Sequence, residues 1–195
     1  MDVLLALVVF EVVSAVTPGP NNLLLWASGA EFGFRRTLPH VVGTSLGMGA
    51  VILVVAAGLG ALVTAVPGIA IVMKIGGSLF LLYLAWQIAR SGALARGSMA
   101  KPFGVRQAFA FQAINPKAWI FALSAITTFR PADLPAMVGG AVVAGTMMVV
   151  VLPTAAVWAA GGGLVGRLLA GGRWHRPVSL ALALMLVATI AYVWI

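Results

Sequence analysis

Two short segments, Thr17-Pro18-Gly19-Pro20-Asn21-Asn22 and Asn115-Pro116-Lys117, place proline, amide and cation inside otherwise apolar runs. Proline removes a backbone donor and clashes with the preceding turn, so each segment breaks a helix and frees carbonyls inside hydrocarbon. Asn21, Asn22 and Asn115 bring amide donors and acceptors to the breaks. Such amides suit either of two tasks, capping the broken ends or gripping the ammonium and carboxylate of a small zwitterion. Lys117 adds a cation, and a cation at the centre of a membrane helix costs about 2.5–3.5 kcal/mol unless a partner or water meets it. Its partner is either the carboxylate of a passing solute or the carbonyls freed by Pro18 and Pro20. Gln112, one turn before Pro116, can line the same space or bond a neighbouring helix. Glu11 and Lys74 form a second constellation, at similar depths of about 10 Å from one surface. They suit an ion pair or part of a proton relay, while Lys74 alone could snorkel to the interface.

These groups need helices to hold them, and the composition says what kind. The chain has 195 residues, 62% hydrophobic and 8% charged, with mean hydropathy +1.10. A soluble domain runs near about 25% charged, so the expectation is an all-α integral membrane protein forming a single transmembrane domain over 1–195. Six apolar segments can be drawn, roughly 3–30, 38–64, 67–89, 107–129, 136–160 and 178–195. The first would measure about 42 Å as one helix against a core of about 30 Å, and unwinding near residues 17–22 reconciles the two. It lacks a basic leader and outruns a signal peptide, so it reads as a span that stays.

Charge orders the spans. Arg35, Arg36, Arg90, Arg96, Lys101, Arg106, Arg167, Arg173 and Arg176 follow the first, third and fifth segments; the opposite side holds Arg130 near Asp133, with Asp2 at the N-terminus. This positive-inside bias places those three connections in the cytoplasm and both termini outside. The six spans divide at the basic loop 90–106 into sets of three, 1–89 and 107–195. An odd number of spans per set makes them inverted repeats, with an interruption in the first span of each. Pro18 then lies about 21 Å from the outer surface and Lys117 about 15 Å from the inner one. Both breaks reach the midplane, where transport sites of this type sit. Gly43-x-x-x-Gly47 reads as a helix-packing motif, and His40 as an interfacial residue beside Arg35 and Arg36.

Several function classes are excluded. The basic residues sit in short loops, so topology rather than nucleic acid explains the net charge of +8. The chain has no cysteine, which closes off disulfides, thiol redox chemistry and Cys-ligated metals. There is no His-Glu-x-x-His sequence and no pair of membrane aspartates, so no catalytic set, metal site or cofactor is expected. A passive small-metabolite channel or a non-transporting assembly subunit stays as the alternative to a transporter.

Thr17-Pro18-Gly19-Pro20-Asn21-Asn22-Leu23, then Gly33, Arg35-Arg36, Gly43 and Gly47, resemble the opening of the LysE/RhtB amino-acid exporter family. Phe111-Gln112-Ala113-Ile114-Asn115-Pro116-Lys117-Ala118-Trp119 resembles that family's second hallmark, and Lys74-Ile75-Gly76-Gly77 with Leu81-Leu82-Tyr83-Leu84 resembles its third-span pattern. The third span departs at Gly77-Ser78-Leu79-Phe80, which leaves the substrate subgroup open. The resemblance implies a secondary transporter of the bacterial inner membrane that exports amino acids or close derivatives using the proton-motive force. Its partners would be that small solute, protons and the bilayer, with a homo-oligomer compatible.

Overall fold

In the computed structural model, which describes residues 3–59, 65, 67–91, 101–168 and 175–194, the first apolar run is two helices. α1 (Val3–Val16) stops before Pro18, and α2 (Pro20–Phe32) resumes at a bend of 57°. Pro20 opens α2 at its first turn, where the missing N–H would have had no helical partner anyway. Gly33 closes α2 at φ 81, donating to the Gly29 carbonyl at 2.9 Å. The left-handed backbone that this turn needs is one that glycine adopts without strain. α3 (Phe34–Val54) starts at once and runs into a π-helical turn, Val55–Leu59, where Gly58 takes φ 94. The remaining helices are α4 (Pro67–Ser91), α5 (Val105–Ile114), α6 (Pro116–Phe129), α7 (Ala136–Leu168) and α8 (His175–Trp194). Every regular element among the described residues is helical. Residues 92–100 of the expected basic loop, with Arg96, lie outside the described residues, as do 60–64, Arg173, Asp2 and Ile195.

α7 is the central post. Its most extensive contacts are with α3 and α2, and it also meets α1; α3 packs in turn on α5, and α4 pairs with α8. Small residues let backbones touch. A Cβ on Gly29 of α2 would lie 2.0 Å from the Ala159 carbonyl oxygen, and one on Gly162 of α7 would lie 2.0 Å from that of Trp26. On α3, a Cβ on Gly43 would meet the Val105 carbonyl oxygen at 2.4 Å, and one on Gly47 the Gln112 Cγ at 2.7 Å. Gly43-x-x-x-Gly47 is thus the seat of α5, as its spacing implied. In a bilayer, where lipid tails are as apolar as leucine, such close approach is the main source of helix association.

The distribution of polarity is inverted relative to a soluble protein. Val72, Val149, Val157 and Leu184 are each at least 69% exposed on the outside, while Glu11, Asn21, His40, Gln112 and Asn115 are buried. An apolar exterior of this extent suits lipid rather than water. Among the described residues, Phe34–Leu59 and Ala136–Gly166 are each long and apolar enough to cross a membrane, with mean hydropathies of 2.1 and 2.0. The bent pair α1–α2 makes a third crossing if it is one span. α5 and α6 are short, at 10 and 14 residues, because the break at Asn115-Pro116 divides their run.

The α2–α7 contact predicts a sharp contrast between two glycines of α7. Gly162→Ala forces the helices apart and should cost about 1–3 kcal/mol or more, as overpacking does. Gly145→Ala, where nothing lies within 4 Å, should be neutral. Thermal melting of the detergent-purified variants reads the difference.

Candidate functional site

Each proline-asparagine segment satisfies its own loose ends and then those of the other. At the first break the Asn22 amide turns back to donate to the carbonyls of Ala15 at 2.8 Å and Thr17 at 2.9 Å. The indole N–H of Trp158, on α7, reaches the same Ala15 carbonyl at 3.4 Å. At the second break Asn115 caps α6, its Oδ1 accepting from the Lys117 backbone N–H at 3.2 Å. The Trp119 indole N–H takes the freed Ala113 carbonyl at 2.9 Å. Lys117 then crosses to the first break, where its ammonium donates to the carbonyls of Thr17 and, at 3.5 Å, Pro18. The ammonium also stands 5.5 Å from the centre of the Phe121 ring, in cation–π range.

Gly19 explains the middle of the first motif. Its backbone is extended, and a Cβ there would lie 2.7 Å from Lys117 Cδ and 3.0 Å from its Nζ. The position is kept bare so that the lysine can pass over it.

A buried amide network joins the breaks to α3. Asn21 Oδ1 accepts from Gln112 Nε2 at 2.9 Å, and Asn115 Nδ2 donates to Gln112 Oε1 at 3.0 Å. The Thr44 hydroxyl lies 3.2 Å from Asn21 Oδ1 and 2.9 Å from the His40 carbonyl, sharing one proton between them. His40 Nε2 lies 3.4 Å from the same Asn21 oxygen. Burial strengthens such bonds and makes each of them expensive to leave unmade.

Between the breaks lies a cavity of about 40 Å³, lined by Ser14, Asn22, Thr44, Gln112, Lys117 and Phe121 among others. Gly19, Asn21 and Asn115 also reach it. Thr17 and Pro18 contribute the carbonyls that hold Lys117, while Pro20 and Pro116 pack on the far side, around Gly77 and Leu81 of α4. The structure thus brings the residues of both motifs, and Gln112, to one place. Gln112 both lines the space and bonds across helices.

Two expectations differ. Glu11 and Lys74 do not pair: neither Glu11 oxygen has a hydrogen-bond partner, and Lys74 stands 5.7 Å over the Trp194 ring of α8. The reason is the packing, which sets α1 against α6 and α7 but α4 against α8. His40 is not an incidental surface residue; it is fully buried within the helices, its ring 5.2 Å from that of Phe103. His40 and Thr44 are the two network residues that sequence reasoning missed. Their spacing of four, one helical turn, was the available signal.

Buried amides around a pair of broken helices, inside an apolar exterior, define a membrane transport protein. The model of the LysE type translocator family matches residues 12–193, and the chain belongs to that family. It is similar to the cysteine/O-acetylserine efflux proteins of Escherichia coli K12 and Salmonella typhimurium LT2, each 31% identical over 180 residues covering 91% of this chain and 90% of the relative. The Shigella flexneri protein of the same name matches equally. No solved structure gives a significant match.

Asn21 and Asn115 should both carry structural weight. Asn21→Ala removes the acceptor that His40, Thr44 and Gln112 share, and a buried donor left unpaired should cost about 1–3 kcal/mol. Asn115→Ala removes an N-cap, worth about 1 kcal/mol, and also the donor to Gln112 Oε1. Melting midpoints of both purified variants should therefore fall below wild type.

Proposed function

We propose that this chain exports small neutral α-amino acids, of the cysteine or O-acetylserine kind, across the bacterial inner membrane by proton-coupled alternating access. The observation that carries the reading is the Lys117 ammonium, standing in a cavity between two broken helices. Of its three donors, two meet the Thr17 and Pro18 carbonyls, which leaves one for a solute carboxylate. The same carbonyls and the Asn22 side-chain oxygen supply acceptors for an α-ammonium. Among the described residues none that lines the cavity in this conformation is acidic, so a cationic side chain held here would meet only Lys117. That favours a neutral cargo.

Alternating access is supported by the size of the cavity. Its 40 Å³ is room for a few waters, at about 10–15 Å³ each on this measure. An amino acid needs the two sides to part. In the six-span reading, the halves 1–89 and 107–195 do this by rocking as inverted repeats. The pairings support the repeat: α3 with α7 joins the second members of the two sets, and α4 with α8 joins the third. The broken first spans also exchange partners, α2 with α7 and α5 with α3. Basic connections inside and both termini outside complete the topology.

Cells producing the chain should release more cysteine and O-acetylserine and resist inhibitory levels of either. Lys117→Ala, present at wild-type levels in the membrane, should lower export about 10- to 100-fold, the value of one charge-assisted hydrogen bond. A protonophore should remove uphill export. Export that survives Lys117→Ala sinks the site, and export indifferent to the protonophore sinks the coupling.

A further inference from the structure

α1 turns one face inward, with Leu7, Glu11 and Ser14 buried at i, i+4 and i+7. That face packs against α6 and α7. Ser14 lines the cavity, and Glu11 lies one turn back along α1 towards Leu7, which belongs to the apolar cluster. Glu11 is 0% exposed, and among the described residues neither carboxyl oxygen has a hydrogen-bond partner. Native proteins rarely leave a carboxyl in this condition, and an intramembrane acid without a structural partner calls for a functional one.

The charged groups on the surrounding elements do not supply that partner. α6 carries Lys117 at its start and is followed by Arg130; α7 carries only Arg167, at its far end. Lys117 is engaged with the Thr17 and Pro18 carbonyls, six and seven residues along the chain from Glu11, or about 9–10 Å at helical rise. Arg130 packs its side chain over Gly139. An unpaired carboxylate in this place would cost several kcal/mol, so the closed conformation accommodates Glu11 as a neutral acid.

We propose that Glu11 carries the coupling proton. With the cavity open outward, the Glu11 carboxylate takes one proton from external water and becomes a carboxylic acid. In that form it can be buried as α1 closes on α6 and α7. With the cavity open to the cytoplasm, the acid returns the proton to water, and the carboxylate left behind is stabilised by the α-ammonium of an entering amino acid. Proton and amino acid then disfavour each other's binding, which is the reciprocal coupling that exchange requires. This rests on the proposed proton-coupled export and assigns its proton step to one atom pair.

The test uses the full chain in proteoliposomes with labelled cysteine as probe. Glu11→Gln mimics the protonated state permanently, so cysteine should bind more weakly, and at saturating cysteine the ratio of gradient-driven uphill transport to cysteine–cysteine exchange should fall about tenfold or more, a coupling loss of about 1.4 kcal/mol. Lys117→Ala should lower uphill transport and exchange together. Glu11→Asp should restore coupling with a displaced pH profile. Glu11→Gln that still drives cysteine uphill with the wild-type pH profile, or that loses exchange as completely as Lys117→Ala, overturns the assignment. A second measurement needs no variant and no cargo. Dicyclohexylcarbodiimide, which modifies protonated carboxyls in apolar surroundings, should label the wild-type chain at Glu11, less so as pH rises. Absence of that adduct at every pH overturns the proposal. Labelling at Glu11 in a chain that moves no cysteine supports the proton step and rejects the cargo.

Discussion

The ammonium of Lys117, resting on the carbonyls of Thr17 and Pro18, is the contact on which the centre of this protein depends. Each side of it is unaffordable alone. Carbonyls freed by proline in hydrocarbon cost several kcal/mol apiece, and so does a lone ammonium. Brought together they neutralise most of both penalties, and in doing so they hold two interrupted helices against each other. The lysine passes close over Gly19, where a side chain would push it aside. Asn22 and Asn115 deal with the loose ends that Lys117 cannot reach.

Around this contact the fold separates two kinds of cohesion. On the α2–α7 and α3–α5 contacts it is backbone against backbone, through Gly29, Gly162, Gly43 and Gly47. Such contacts are rigid, because a packed interface of small residues has no side chains to rearrange. Near the cavity it is a chain of amides, from Asn115 through Gln112 to Asn21 and on to Thr44 and His40. Hydrogen bonds can be exchanged for water or solute at small net cost, whereas a packed glycine seam cannot. The cavity of about 40 Å³ is bounded by the exchangeable kind: the contacts an entering solute would replace are those of Lys117 and the amides.

Glu11 and His40 show how little the type of a residue says about its surroundings. Both are buried; among the described residues one has no hydrogen-bond partner and the other has a single long contact at Nε2. In the sequence Glu11 seemed to call for Lys74, the one cation at similar depth. Depth along the membrane normal is readable from helical rise, but angular position around the bundle is not. Lys74 sits against α8, with Trp194 under its ammonium.

What the sequence determined by itself was local and one-dimensional. Proline at 18, 20 and 116 had to break helices, hydropathy had to hide those breaks from lipid, and helical rise brought them to one level. The spacing of Gly43 and Gly47 marked a close helix contact, and residue for residue the motifs carried the family. Only the tertiary structure chose between partners that local chemistry left equivalent. It gave Lys117 the carbonyls of the facing break, put His40 and Thr44 onto Asn21, and left Glu11 with none. The physical reason is that burial and pairing are properties of how helices are rotated about their axes. That rotation is set by contacts between residues as distant as Trp26 and Gly162, or Asn21 and Gln112, whose joint geometry no local pattern encodes.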